Sequence, residues 1–372
     1  MPISNKYANI VCYNVKNKRL KIFVVIGSNY AKDEGNPFVP TLENAIMSAH
    51  EDVEFSSVKS DFWEKDEWDI VHVMWPDCDC FASAMRKGCD LKARLTALKN
   101  NGTKIVATIH NMHSHHTGGE RIFEEAYRIV YSLADVMIHL GQFSYDRMVQ
   151  MYPEAKHVII PHHVYDTLYT NLPTKDEALR RFGYKDSTYA LCMGTFRHKE
   201  ERQMVCNIMK QFPSVKFVIP KLYGMPKFTI NASWIKERIK LVYYNIKYPN
   251  LYCTHESFVP DDELPYYFAL SDVTILQRLD TLNSGNLPLG MLMGNVIVGP
   301  NVGNMGHLLD ETGNFAFAPD DIHSMRIAME NALAAARKGK GADNRKYALT
   351  NWSTQNMAEK HYALYKSILM NE

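Results

Sequence analysis

The sequence predicts an α/β protein made of two Rossmann-like, doubly wound parallel-sheet domains that face an interdomain cleft. Three observations carry that expectation. The chain has 372 residues, nearly half of them hydrophobic, which is long for one domain and natural for two. Short apolar, β-branched runs recur along it with helix-patterned segments between them, the pattern of parallel strands covered by helices on both faces. The alternation stops once, over a polar stretch near the middle, and then begins again.

The first alternation supplies KIFVVIG (21–27), DIVHVMW (69–75), KIVATIH (104–110), ADVMIHL (134–140) and KHVIIPH (156–162) as buried strands. Between them ENAIMSA, KARLTALK and FEEAYRIVYSL have helical spacing. Residues 165–187 are polar, with one short helix and no strand, and read as an interdomain connection. The second alternation gives strands YALCMGTF (189–196), VKFVIPK (215–221), NLYCTH (250–255), DVTILQ (272–277), NVIVGP (295–300) and NFAFAP (314–319). Helices fill the gaps over 200–211, 231–246, 262–270, 286–293 and 321–337. The closing segment, TQNMAEKHYALYKSILMN, is amphipathic and predicts a helix packing back across the domain junction. The expected domains are therefore 1–165 and 188–350, joined by 166–187 and followed by the closing helix, 351–372. Two such halves place a ligand at the carboxyl ends of their strands.

Composition narrows the function. A formal net charge of +1 argues against nucleic-acid binding, which calls for a strongly basic face. The seven cysteines form no CxxC pair, and an odd count reads as reduced and cytoplasmic. Residues 1–18 are too polar for a secretory signal, and no stretch approaches the roughly 20 apolar residues of a membrane span. The segment 233–250, SWIKERIKLVYYNIKYPN, mixes basic and aromatic residues. It reads first as a surface helix packed on a sheet and second as a membrane-surface helix.

Chemistry is expected in the loops that follow strands. After KIVATI comes HNMHSHH, with histidines at 110, 113, 115 and 116. Zinc sites draw ligands from several segments, so a metal is not expected there. His110 ends its strand, where it can hydrogen-bond a sugar hydroxyl or assist proton transfer. Arg197 and Lys199 follow YALCMGTF, and two cations at a strand end suit a diphosphate. Asn283, Ser284 and Gly285 stand between the strand DVTILQ and a helix starting near Asn286. A helix N-terminus offers unpaired N–H groups to an anion, although Ser and Asn are also the ordinary capping residues. No GxGxxG follows a first strand, which disfavours a dehydrogenase.

Read together, these pieces resemble GT-B glycosyltransferases, close to the large retaining group-one family that uses nucleotide sugars. VPDDELPYYFALSDVTILQ (259–277) is similar to that family's helix and strand before the donor site. GNVIVGPNVGNMGHLLDETGNFAFAPDD (294–321) and GTFRHKEE (194–201) resemble its later strand–turn segment and its Gly-x-x-Arg-x-x-Lys element. In the first half NPFVPTL, DIVHVMWPD, TIHNMHSHH and IPHHVY resemble polysaccharide-assembling members. The family carries two glutamates eight positions apart, and Thr281 and Leu289 stand at those places when Gly294 is aligned. A branch with Asn-Ser-Gly in place of the first glutamate is similar to this chain.

The resemblance implies transfer of a sugar from a UDP- or GDP-linked donor to a glycan or lipid-linked acceptor in bacterial surface polysaccharide synthesis. It implies a retaining outcome, with no metal and no cofactor besides the donor. Arg197, Lys199, Asn283, Ser284 and Gly285 would hold the diphosphate. Phe258, Val259 and Asn286 would lie near the base and ribose, and His110 would contact the sugar. Asn36 and Asn111 would face the acceptor. An inverting enzyme would instead use Asp77 as base with His115 behind it. The expected location is cytoplasmic, with peripheral association at the inner membrane face. Two alternatives stand beside this reading: a catalytically inactive GT-B partner protein and a sugar-nucleotide epimerase.

Overall fold

The structure, a computed structural model, describes residues 19–26, 36–114, 121–220, 232–252 and 259–370. Its first sheet contains β1 (Leu20–Val25), β2 (Val53–Ser56), β3 (Ile70–Val73), β4 (Lys104–Ile109), β5 (Val136–His139) and β6 (Lys156–Ile159). The second contains β7 (Tyr189–Leu191), β8 (Lys216–Val218), β9 (Leu251–Tyr252), β10 (Val273–Ile275), β11 (Val296–Pro300) and β12 (Phe315–Phe317). The helices in the first half are α1 (Phe38–Ala49), α2 (Lys59–Glu64), α3 (Asp79–Arg86), α4 (Leu91–Asn100), α5 (Arg121–Leu133) and α6 (Gln142–Met151). There follow α7 (Lys175–Phe182), α8 (Lys199–Gln211), α9 (Ala232–Lys247), α10 (Leu264–Leu270), α11 (Asn286–Leu292), α12 (Gly303–Glu311), α13 (Ile322–Arg337), α14 (Lys340–Asn351) and α15 (Thr354–Met370).

Every strand pair is parallel. The orders are β2-β1-β3-β4-β5-β6 and β12-β11-β10-β7-β8-β9. Strand order therefore reverses between β1 and β3 in one sheet and between β7 and β10 in the other. Crevices open at such switch points because neighbouring loops leave in opposite directions. The central strands β3, β5, β7 and β10 are buried along their whole length, as continuous apolar runs require. β6 differs: it is an edge of its sheet, with both end residues exposed and the two between them half-buried.

The connection holds α7, started by a reciprocal Thr174–Glu177 cap and ended by Gly183 at φ +66. The last helix, α15, packs against α1 of the first domain. Tyr365 Oη lies 2.7 Å from His72 Nδ1, and His72 Nε2 lies 2.8 Å from Thr108 Oγ1. Asp52 accepts from Tyr362 Oη and Lys366 Nζ, and Asp166 accepts the N–H and hydroxyl of Thr354 at the start of α15. One apolar cluster runs from Leu20, Phe38 and Leu42 through Tyr165 to Tyr189, Tyr267 and Met357, so one core spans the junction. Among the described residues no helix is long and apolar enough to cross a membrane.

Candidate active site

The second domain builds its part of the cleft on one carbonyl. Met193 O, just beyond β7, accepts from Gln277 Nε2 at 3.1 Å and from Asn286 Nδ2 at 2.8 Å. The ends of β7 and β10 and the start of α11 are thereby pinned together at the switch point. Gly194 comes next at φ +110, and a Cβ there would come 3.0 Å from the Gln277 amide. Only glycine accepts both demands.

Three residues on, the chain sets out cations on a buried acid. Glu201, in the first turn of α8, is fully buried. Its Oε2 accepts the backbone N–H groups of Arg197 at 2.7 Å and His198 at 3.4 Å, and it lies 3.4 Å from Arg278 Nη1. Its Oε1 is buried with no hydrogen-bond partner among the described residues. The Arg278 side chain is 18% exposed; burial, and then the charge of Arg197, lower its pKa. The Arg278 guanidinium thus meets the carboxylate directly, while Arg197 is held on it by its backbone N–H and sets its charge close enough to act on Arg278, which leaves a net cation at the carboxyl ends of β7 and β10. Such a pair attracts a polyanion and grips it in forked geometry. Arg278 was not among the residues chosen from sequence. Its signal was its place, as the first charge after the buried run DVTILQ.

Lys199 does not join this pair. Its side chain is 87% exposed, 3.7 Å from Glu200, and it lines surface grooves beside α8. Val259 is likewise corrected: it is buried in the junction core with Leu179 and Tyr267 rather than open to a nucleobase. Leu289, at the place of the family's ribose-binding glutamate, is buried in the same cluster. Phe258 and His115 lie outside the described residues.

The Asn-Ser-Gly turn divides between two duties. Asn283 Nδ2 donates to the carbonyls of Ile109 (3.3 Å) and His110 (2.8 Å), and its Oδ1 accepts from Asn304 Nδ2 (2.8 Å). Asn304 Oδ1 in turn accepts the Ser144 N–H of α6 at 3.0 Å. The Asn283 side chain is therefore spent on a clasp between the domains, not on a diphosphate. Ser284 keeps a hydroxyl with no hydrogen bond among the described residues. A Cβ on exposed Gly285 would stand 3.8 Å from Tyr165 Oη and 3.9 Å from His162 Nε2, so this turn faces the first domain directly. Asn286 serves the Met193 pin described above.

The first domain answers with neutral rings. His110, at the end of β4, stacks on Trp75 (4.2 Å, 17°) and meets the edge of Phe38 at 5.0 Å. Burial pushes its pKa down to about 3, and its Nε2 has no partner among the described residues. Tyr165, the only non-glycine described residue with positive φ (60°), sets its hydroxyl 3.3 Å from His162 Nε2 and 3.5 Å from Asn36 Oδ1. His162 Nδ1 donates to His163 O and His163 Nε2 to Phe38 O, which fixes both tautomers. Burial lowers these two histidines to about 4 and about 3. The wall presents hydrogen-bonding groups without charge.

Asp77, in the loop after β3, accepts from Ser114 Oγ at 3.2 Å and Tyr127 Oη at 3.3 Å, tying its loop to the loop after β4 and to α5. Asn111 lines an interdomain cavity of about 350 Å³, with His113 and Arg147 on its own side and Asp280, Thr281 and Gly303 opposite.

No family model matches the sequence, and no curated protein matches it. Solved structures do match the fold. Sucrose-phosphate synthase from Thermosynechococcus elongatus superposes with a TM-score of 0.70 at 13% identity, covering 95% of this chain and 100% of its own. Anabaena HepE in complex with UDP gives 0.66 at 12%, covering 94% and 100%. A putative UDP-N-acetylglucosamine 2-epimerase from Listeria monocytogenes gives 0.60 at 10%, covering 95% and 98%. The two facing parallel sheets are the GT-B fold.

Proposed function

We propose that the chain is a glycosyltransferase that moves a sugar from a UDP- or GDP-linked donor to a glycan or lipid-linked saccharide. The observation that carries this is buried Glu201 at the switch point of the second sheet, which holds the Arg278 guanidinium and the Arg197 backbone N–H and so sets two cations side by side. It lies in the fold in which HepE holds UDP. In the reaction the bond from the anomeric carbon to the diphosphate oxygen breaks, and a bond to the acceptor oxygen forms. Negative charge grows on the departing diphosphate, where the two guanidinium groups stabilise it. Ser284 and the Gly285 backbone would approach its oxygens, while neutral His110 and the Tyr165–His162 pair would orient sugar hydroxyls. Surface polysaccharide assembly is the setting that the Asn-Ser-Gly turn favours.

Retention of anomeric configuration is the outcome this site favours. Asp77 is engaged by Ser114 and Tyr127, so the acceptor proton passes to the departing diphosphate on the same face. Asp280, exposed on the rim of the interdomain cavity, is the residue an inverting reaction would use as base. The test is a thermal-shift panel of UDP, GDP, dTDP and CDP, then NMR of the product formed from the donor that binds. Binding of a single nucleoside diphosphate with transfer supports the proposal. Conversion of the sugar nucleotide without an acceptor makes the protein an epimerase, and binding with neither reaction makes it an inactive partner. An inverted product that disappears in Asp280→Asn replaces the retaining mechanism.

A further inference from the structure

Helix α9 turns its apolar side outward. Ile235, Ile239, Val242 and Ile246 are 48, 65, 58 and 78% exposed. Their spacing of four, three and four puts them within roughly 60° of arc on a helix. The opposite side anchors the helix, with Tyr248 buried and Tyr244 packed against the second domain's core. A soluble surface helix would show the reverse pattern, because exposing four large aliphatic side chains in one row forgoes their burial.

The charges beside the stripe say what covers it. Within α9 four cations, Lys236, Arg238, Lys240 and Lys247, stand against one acid, Glu237. Between α8 and α9 lies a groove of about 420 Å³ lined by Lys199, Arg202, Lys210, Lys240 and Lys247, with no carboxylate among its lining residues. Lys199, absent from the diphosphate site, finds its place here. A second copy packed stripe to stripe would bury the aliphatic row but leave the basic groove unused. A bilayer surface rich in phosphate complements both features, since anionic headgroups meet the cations and the acyl boundary receives the aliphatic row.

We propose that the α8–α9 face docks on an anionic phospholipid membrane, with the Ile235–Ile246 stripe entering the headgroup–acyl boundary and the groove's cations taking lipid phosphates. The proposal stands on this face alone and is independent of the chemistry assigned to the cleft.

The test is flotation of the full chain with vesicles of phosphatidylcholine alone or mixed with phosphatidylglycerol. Binding is expected to the mixed vesicles only and to weaken as salt rises. Ile239→Asp combined with Ile246→Asp should lower vesicle affinity at least roughly tenfold. Lys210→Gln combined with Lys247→Gln should lower it by roughly fivefold per cation. Both variants should keep the Tm of the parent. Equal binding to neutral vesicles, or variants that bind as the parent does, would overturn the proposal. So would a dimer in ultracentrifugation that dissociates on Ile239→Asp, which assigns the stripe to self-association. Release from the mixed vesicles by millimolar inorganic phosphate at constant ionic strength would assign the groove to a soluble anion instead.

Discussion

Glu201 shows how one residue can organise a site without touching a ligand. Its carboxylate holds the Arg197 backbone and the Arg278 side chain, and α8 then leads Lys199 away from them. Arg278→Ala should weaken binding of the preferred nucleoside diphosphate by roughly 10–100-fold, the loss of one charge-assisted contact. Because Arg278 is the cation beside fully buried Glu201, its loss should also lower the Tm, and affinity is compared at a temperature where both proteins are folded. Unchanged affinity by calorimetry would remove Arg278 from the site. Leu289→Glu, a change that family resemblance suggests for restoring a ribose contact, should instead cost about 3 kcal/mol in denaturant unfolding. It would bury a carboxylate in the junction core. At this scale the sequence was legible in part. Arg197, His110 and the Asn-Ser-Gly turn are expected after strands, and they do follow β7, β4 and β10. Arg278 was passed over because it belongs to no spaced motif, and Asn283 was misassigned because its partners are 173 and 174 positions away.

Elements fared differently according to what their residues were selected for. The buried strands announce themselves, because each face must be apolar. β2 and α14 were not anticipated: β2 is a short edge strand with only Val53 buried, and α14 buries only Asn344 and Ala348, so neither carries a periodic apolar pattern. The opening of α12 reads as a glycine-rich turn, yet Gly303 is a helix residue at φ +52 whose Cβ would stand 2.6 Å from Thr281 O. The glycine is there to let α12 approach the Asn-Ser-Gly turn. That approach delivers Asn304, fully buried, to Ser144 and Asn283. Asn304→Ala should cost about 2–4 kcal/mol, since it strands the Ser144 N–H and the Asn283 carbonyl oxygen in a buried seam. Equilibrium urea unfolding measures this, and a loss below 1 kcal/mol would mean the clasp is not closed in solution.

For the molecule as a whole, the neutral rings that line the cleft and the domain junction set a narrow pH range of stability. Burial holds His110, His139 and His163 at about 3 and His162 and His361 at about 4. In the unfolded chain each takes a proton near pH 6.5. Between these values unfolding takes up protons, so stability is lost as pH falls below 6.5. Each histidine contributes up to about 1.4 kcal/mol per pH unit. Glu43 opposes them: burial raises it to about 7, so the folded state keeps a proton that the unfolded chain releases near 4.5. Its effect is a loss of stability as pH rises from 4.5 to 7, up to about 3 kcal/mol in total. Five histidines outweigh one glutamate, leaving at most about 5 kcal/mol lost per unit below pH 6.5. Against a typical stability of about 5–15 kcal/mol, that exhausts the fold within one to three units. Tm should therefore fall by roughly 5–8 °C per unit between pH 6.5 and 5. Glu43→Gln should raise Tm at pH 8 and change it little at pH 4.5, where the folded state carries the proton and the unfolded chain is half protonated. A Tm that stays level from pH 7.5 to 5 would show that the histidines meet water or partners in solution, and the uncharged character of the cleft wall would fall with it.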